Sequence, residues 1–247
     1  MKVIFLGTNS WNSANGNNTI CTLLETEKFY VVFDAGDGIH KIDKYIKTNK
    51  PIIIFISHLH FDHIIGFHVF PKFKFKNDVI IICPKGTRKI LKNIIGKPFT
   101  APLEDRSFKV TIKEADEGVY VSPIDFECRK IFHADLCFGY RLSVEKKIIA
   151  YLCDTGECKN FGVLAKDADV VITESSLRLG FSNEKWGHLN PEEAAYLAMK
   201  SGAKKLVLTH FIPEYYNNDA KKNRAEIVAR RVFKNTICAK DNLVVKI

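Results

Sequence analysis

The chain has 247 residues, of which 46% are hydrophobic, and this is enough for a large buried core. Its formal net charge of +9 permits an anionic substrate, although most of the charge is lysine spread along the chain. No apolar run approaches the roughly 18 residues of a membrane span and no secretory pattern opens the chain, so we expect a soluble, cytoplasmic protein.

The cysteine pattern and the absence of linkers indicate the redox state of the thiols and the number of domains. Seven cysteines form an odd set without a Cys-x-x-Cys pair, which predicts reduced thiols rather than disulfides or a structural zinc knuckle. No linker, low-complexity tract or repeat interrupts the chain. We therefore predict a single domain over residues 1–247.

The predicted elements alternate between strands and helices along the chain. Strands are predicted over residues 2–6, 20–25, 29–34, 52–56, 79–83, 139–144, 147–152, 170–173, 206–210 and 243–247, with strand-like segments over 108–131. Helices are predicted over residues 40–48, 63–70, 87–95, 157–165, 191–201 and 220–233. The start at residue 191 is the clearest, because Asn190 can cap the helix, Pro191 fits its first position and acidic residues follow.

The segment after the strand at 52–56 carries three imidazoles and a carboxylate within six residues, at His58, His60, Asp62 and His63. In an extended loop His58 and His60 point to the same side, whereas Asp62 and His63 lie past the bend and can serve a second, adjacent metal. Imidazole nitrogens and carboxylate oxygens suit zinc, iron or manganese, with zinc favoured. The motif therefore predicts a site for divalent metal ions.

Two segments flanking this motif have open roles. Asp34 ends a predicted strand, and it is a candidate either to hydrogen-bond a ligand histidine or to cap the following helix. Lys72, Lys74 and Lys76 alternate with phenylalanines, a pattern that could track a phosphate backbone. We favour an edge strand whose lysines point outward.

Further candidates stand where later strands end. His133 follows the strand-like segment and is a candidate third imidazole for the first metal. Asp154 follows the strand at 147–152, where a carboxylate can bridge two metals. His210 ends the strand at 206–210.

Six motifs occur in a fixed order along the chain. They are His-x-His-x-Asp-His at 58–63, His133, Tyr-Leu-Cys-Asp-Thr-Gly at 151–156, Glu174, Gly-His-Leu at 187–189 and Leu-Thr-His-Phe at 208–211. Together they resemble the metallo-β-lactamase superfamily, across nearly the whole chain. This resemblance implies an α/β (α+β) fold, a four-layer αββα sandwich with a dinuclear site at the sheet edges. Glu174 with His188 resembles the phosphodiesterase branch, which includes ribonuclease Z and enzymes acting on small cyclic phosphodiesters.

The resemblance also implies the roles of the site residues. One metal ion is held by His58, His60 and His133, the second by Asp62, His63 and His210, and Asp154 bridges the two. Zinc is the favoured ion, with manganese or iron as alternatives. The implied catalytic residues are Asp62, His188 and Glu174: a hydroxide between the metals attacks phosphorus with Asp62 orienting it, and His188, oriented by Glu174, protonates the leaving oxygen.

The sequence constrains the identity of the substrate less than it constrains the type of reaction. Only twenty residues separate His133 from Asp154, and they form one hairpin, so the long arm with which ribonuclease Z grips tRNA is absent. Glu214 is also a poor neighbour for RNA phosphates. The expected substrate is an RNA 3′ end or a small cyclic phosphodiester, and a homodimer without a membrane partner is the expected assembly. Two alternatives stay open: a hydrolase of carbon esters such as lactones or thioesters on the same metals, and a non-catalytic RNA-binding or scaffold protein.

Overall fold

The computed structural model describes residues 1–102, 105–182 and 185–247, and within them two sheets have seven strands each. In spatial order the first sheet contains β14 (Val244–Lys246), β1 (Lys2–Gly7), β2 (Cys21–Glu25), β3 (Tyr30–Phe33), β4 (Ile52–Phe55), β5 (Val79–Pro84) and β6 (Val110–Ala115). The second contains β13 (Thr236–Cys238), β12 (Leu206–Thr209), β11 (Val170–Glu174), β10 (Lys147–Leu152), β9 (Phe138–Val144), β8 (Phe126–Lys130) and β7 (Gly118–Tyr120).

Each sheet has a parallel half. Strands β3 to β6 are parallel in the first sheet, and β10 to β13 are parallel in the second. Such strands are covered on both faces, which explains why β4 is an unbroken apolar run with all four residues buried. The carboxyl ends of parallel strands meet at one edge of their sheet, where open α/β sheets place their ligand sites.

Helices cover the outer faces of both sheets. They are η1 (Asp37–Lys44) and η2 (Ile65–Lys72), which are 3₁₀ helices, and the α-helices α1 (Phe61–Ile64), α2 (Arg88–Ile94), α3 (Lys159–Ala165), α4 (Pro191–Lys200) and α5 (Asp219–Val232). Side chains from the two sheets form a shared inner core that includes Phe5, Phe55, Tyr140 and Tyr151. Two outer cores join the first sheet to η1, η2 and α2, and the second sheet to α3, α4 and α5. The predicted αββα sandwich is confirmed.

Several local predictions need correction. The helix predicted at 40–48 is the 3₁₀ helix η1, and the helix at 63–70 is a single α-turn followed by η2. The edge strand predicted around Lys72–Lys76 is wrong, because Lys72 ends η2 and residues 73–76 belong to no strand. The three lysines are nevertheless exposed, as predicted, while Phe73 is buried and its ring stacks on Phe75 with centroids 4.8 Å apart. Strand β13 was not predicted.

The predicted start of α4 is confirmed. The Asn190 side chain accepts a hydrogen bond from the Glu193 N–H at 2.9 Å, and Glu193 Oε2 accepts one from the Asn190 N–H at 3.0 Å. This reciprocal capping box, with Pro191 in the first turn, satisfies two backbone donors that a helix start leaves unpaired. In the ranges that the structure describes, no helix has the length and apolar character needed to cross a bilayer.

Candidate metal centre

The metal ligands predicted from the sequence meet at the carboxyl edges of the two sheets. The segment after β4 supplies His58, His60, Asp62 and His63, and the β8–β9 connection supplies His133. Asp154 stands two residues after the end of β10, and His210 directly follows β12. One ligand atom each from His58, His60, His133 and Asp154 all lie within 4.8 Å of one another. The same holds for His63, Cys153, Asp154 and His210. Asp154 belongs to both groups.

Three strand ends share an unusual backbone conformation. Asp34, Asp154 and His210 each have φ of 56°, in the left-handed region, at the point where β3, β10 and β12 end. For residues other than glycine this conformation costs on the order of 1–3 kcal/mol and persists where the surroundings enforce it. The backbone is therefore strained at the residues that approach the cluster.

Asp34 orients one of the predicted ligands. Its buried carboxylate accepts hydrogen bonds from the Ser57 N–H at 2.7 Å and from the Tyr151 hydroxyl at 2.7 Å, and His63 Nδ1 lies 2.8 Å away. This contact turns His63 Nε2 toward Asp154, whose Oδ2 lies 3.4 Å from it. The capping alternative is excluded, because η1 has Gly36 at its N-cap and no side-chain cap.

Other residues that hold the ligands were missed in the sequence. Asp135 Oδ2 lies 2.8 Å from His60 Nε2, and Ser57 Oγ lies 3.0 Å from His58 Nδ1. Both residues stand within two positions of a predicted ligand, so their proximity was a usable signal. Tyr151 gave no such signal, since 117 residues separate it from Asp34.

An orphaned nitrogen tests whether the site fits a metal. His58 is completely buried, and its Nε2 has no hydrogen-bond partner within the described parts of the chain. That nitrogen lies 3.5 Å from Asp154 Oδ2. A buried polar atom without a partner is unfavourable, and ligation of a cation removes the penalty. The donor set of imidazoles and carboxylates therefore fits divalent metal ions.

The charges of the cluster also favour the binding of divalent cations. Burial alone would raise the pKa of Asp154, but His210 and His63 hold it well below its usual range. In turn Asp154, against the effect of burial, raises the pKa of His210 to about 9. The buried carboxylates thus draw positive charge to themselves. Divalent cations supply that charge when they bind, and the histidines then give up their protons.

His188 and Glu174 form a pair beside the cluster. His188 Nδ1 lies 2.7 Å from Glu174 Oε1, and the His188 ring centroid lies 5.2 Å from that of His133. Glu174 is fully buried and also accepts hydrogen bonds from the Thr155 and Ser176 N–H groups, at 2.8 and 3.1 Å. Burial would lower the pKa of His188, but the Glu174 carboxylate raises it above the ordinary value. The pair therefore presents an imidazole that favours its protonated form.

A cavity of about 310 Å³ opens onto these groups. Its lining includes Asp62, His133, Asp154, His188 and His210. A larger groove of about 920 Å³ lies between α2 and β6, and none of the predicted ligands lines it. The smaller cavity is the candidate active site because predicted metal ligands and His188 line it.

Comparisons with known proteins agree with this arrangement. A family model described as "Beta-lactamase superfamily domain" matches residues 30–211. A protein of Sulfurisphaera tokodaii named ribonuclease Z is 25% identical over 285 aligned residues, covering 97% of this chain and 96% of the relative. A ribonuclease Z of Bacillus velezensis is 26% identical over 317 aligned residues, covering 100% and 99%. The crystal structure of the short form of human tRNase Z matches with a TM-score of 0.80 and 23% identity, over 100% of this chain and 99% of that one, and shows the shared fold.

Proposed function

The chain belongs to the β-lactamase superfamily and is a metal-dependent hydrolase, and from this premise we propose that it cleaves phosphodiester bonds of RNA near 3′ ends. Two relatives that match it over nearly their whole length are named ribonuclease Z, which supports an RNA substrate. The observation that carries the proposal is the His188–Glu174 pair beside the ligand cluster.

The pair distinguishes phosphodiester cleavage from hydrolysis of activated carbon esters. The leaving oxygen of a ribose is a poor leaving group unless it is protonated, so its departure needs a positioned acid. A thiolate leaving group needs none. The buried Glu174, by favouring the protonated form of His188, supports the first class of substrate.

We propose that the cluster holds two divalent ions, with zinc favoured. His58, His60 and His133 would hold one ion, Asp62, His63 and His210 would hold the other, and Asp154 would be a ligand of both. When bound, such ions lower the pKa of water to about 7 and neutralise the charge of the phosphate. Asp154 is shared by the group of His58, His60 and His133 and by the group that contains His63 and His210, which supports this assignment. Asp62 is not in the second group, but its Oδ2 lies 3.4 Å from His63 Nε2.

The remaining steps belong to side chains of this chain. Asp62 Oδ2 lies 3.1 Å from His210 Nε2 on the cavity wall, where it can orient the attacking water. Because Glu174 engages Nδ1 of His188, Nε2 of that imidazole is left to give its proton to the departing oxygen. Glu174 itself acts as a positioning residue.

A small cyclic phosphodiester is a second candidate substrate. Strands β9 and β10 are joined by the tight turn at Glu145 and Lys146, with φ of 52° and 61°, so no arm extends from this hairpin. The alignment with the Bacillus velezensis relative runs over 317 residues whereas this chain has 247, so that relative carries about 70 residues that this chain lacks. A shorter chain has less surface with which to grip a folded RNA.

The proposal is tested by hydrolysis of three substrates by the zinc-loaded protein: a 3′-extended precursor tRNA, cyclic AMP and a simple lactone. We expect cleavage of the tRNA, abolished in Asp154→Ala, since this substitution removes the shared ligand. Thr111→Ala, in the groove away from the ligands, serves as the control and should keep full activity.

Each outcome has a defined meaning. Turnover of cyclic AMP without tRNA cleavage assigns the small-substrate alternative. Turnover of the lactone alone rejects the phosphodiesterase proposal. Absence of turnover on every substrate, with the metal bound, rejects the proposed phosphodiesterase function.

A further inference from the structure

Four aromatic side chains surround the mouth of the candidate active site. Trp11, Phe181, Trp186 and Tyr215 line the same cavity as Asp154 and the histidines. Their relative exposures range from 36% for Tyr215 to 62% for Trp11. Large exposed rings grouped at the rim of a site indicate a surface that contacts a ligand. We call these four residues the aromatic rim.

Separate chain segments build the rim and hold it in place. The Trp11 indole N–H donates to Glu214 Oε2 at 3.2 Å, although 203 residues separate the two, which fixes the ring. Next to it, the Ser10 N–H donates to the Phe211 carbonyl at 3.0 Å. The Glu214 carboxylate, a poor neighbour for RNA phosphates, is therefore engaged by the Trp11 indole. Rings that are already positioned lose little entropy when a ligand binds.

A guanidinium group extends the rim. The Arg178 guanidinium carbon lies 4.7 Å from the ring centroid of Phe181 and 5.9 Å from that of Tyr215. Arg178 is exposed and has no ion-pair partner among residues 1–102, 105–182 and 185–247. A guanidinium plane stacked with aromatic rings offers both a π-surface and a positive charge.

This combination selects for one ligand chemistry. Single-stranded nucleic acids are held by aromatic rings on which bases stack and by cations that meet the phosphates. Plain phosphate esters have no base to stack, and apolar ligands have no charge for Arg178. A nucleotide satisfies both parts of the rim at once.

Resting on the phosphodiesterase function proposed above, we propose that the aromatic rim and Arg178 stack unpaired nucleobases next to the scissile phosphate, so that the enzyme selects single-stranded nucleotide segments over base-free esters. The rim then determines specificity, while the metal ligands and His188 carry the chemistry. The rings supply part of the contact with a substrate for which the β9–β10 hairpin provides no arm.

The test uses the zinc-loaded full chain and two RNA hairpins. One has a short unpaired 3′ tail, and the other has the same tail built from abasic nucleotides. We expect Trp11→Ala, Phe181→Ala and Tyr215→Ala each to lower kcat/KM for the intact tail by about 5- to 150-fold, and to change it less than about twofold for the abasic tail. Phe99→Ala removes a ring that is 74% exposed and does not line the cavity, and it should change neither value.

Binding can be followed without turnover. The chain has two tryptophans, Trp11 and Trp186, and both belong to the rim. In stopped-flow mixing, at times before cleavage, the intact tail should quench tryptophan fluorescence and the abasic tail should not. Trp11→Ala should remove part of the quenching.

The outcomes separate the two proposals. Equal kcat/KM for both hairpins, or equal losses in the variants on both, overturns the stacking role and leaves the phosphodiesterase function standing. If the zinc-loaded protein cleaves neither hairpin, the proposed function is rejected and, with it, the role of the rim.

Discussion

Replacing His188 by alanine removes the proposed general acid and leaves every proposed metal ligand in place. Nδ1 of the imidazole lies 2.7 Å from the buried Glu174 carboxylate, which raises the pKa of His188 against the effect of burial. A positioned acid contributes about 10²- to 10⁴-fold to the rate, or about 3–5 kcal/mol of transition-state free energy. We therefore expect kcat for RNA cleavage to fall by about 10²- to 10⁴-fold.

A substrate whose leaving group needs no proton separates the loss of proton donation from other effects of His188→Ala. In bis(p-nitrophenyl) phosphate the p-nitrophenolate departs without a proton, so His188→Ala should lower its hydrolysis by less than about tenfold. His68→Ala is the matched control, because His68 is exposed and its Nδ1 pairs with the Ile65 carbonyl, away from the cluster. Metal content, measured by mass spectrometry, must equal that of the wild type. Equal losses on both substrates with full metal content would refute the role of general acid.

Three further substitutions test other parts of the account. Asp34→Asn weakens the contact that orients His63, and we expect metal affinity to fall about 10- to 100-fold in a chelator competition; unchanged affinity contradicts the orienting role. Gly187→Ala places a Cβ 2.3 Å from the Phe132 carbonyl oxygen at φ of 69°, so the melting temperature and kcat should both fall, and full activity at full stability contradicts the packing argument. Lys222→Met should stabilise the fold by about 1–3 kcal/mol at pH 7 in urea unfolding, because the buried Nζ has no hydrogen-bond partner in the described residues. Burial lowers the pKa of Lys222, so the folded state binds this proton less tightly than the unfolded state does. The stabilisation by Lys222→Met should therefore shrink as pH rises toward the ordinary lysine pKa. A stabilisation that grows with pH contradicts this reasoning.

The candidate metal ligands could be predicted from the sequence because each of them follows a recognisable strand. The cluster at His58–His63 follows an unbroken apolar strand, and Asp154 and His210 follow others. In a parallel sheet the strand ends converge, which places Asp154 and His210 at one edge of the second sheet without knowledge of their contacts. The packing of the two sheets brings the segment after β4 to the same edge. The same rule places Glu174 at the end of β11, within reach of His188.

What the sequence could not predict depends on contacts across the fold. The Tyr151 hydroxyl reaches Asp34 only because the two sheets pack face to face. The left-handed backbone at Asp154 is enforced by its surroundings, and no residue pattern announces it. The aromatic rim is likewise invisible in sequence, since Trp11 and Tyr215 lie at opposite ends of the chain and meet only at the cavity.

The central claim is that water cleaves a phosphodiester bond in a metal-dependent reaction. It is tested most directly by analysing the ends of RNA cleaved in ¹⁸O-labelled water by the zinc-loaded protein, beside protein stripped by a chelator. We predict a phosphate monoester that carries one ¹⁸O atom, a hydroxyl on the other fragment, and cleavage that stops on stripping and returns with zinc. An unlabelled 2′,3′-cyclic phosphate, or cleavage that survives removal of the metal, would contradict the account.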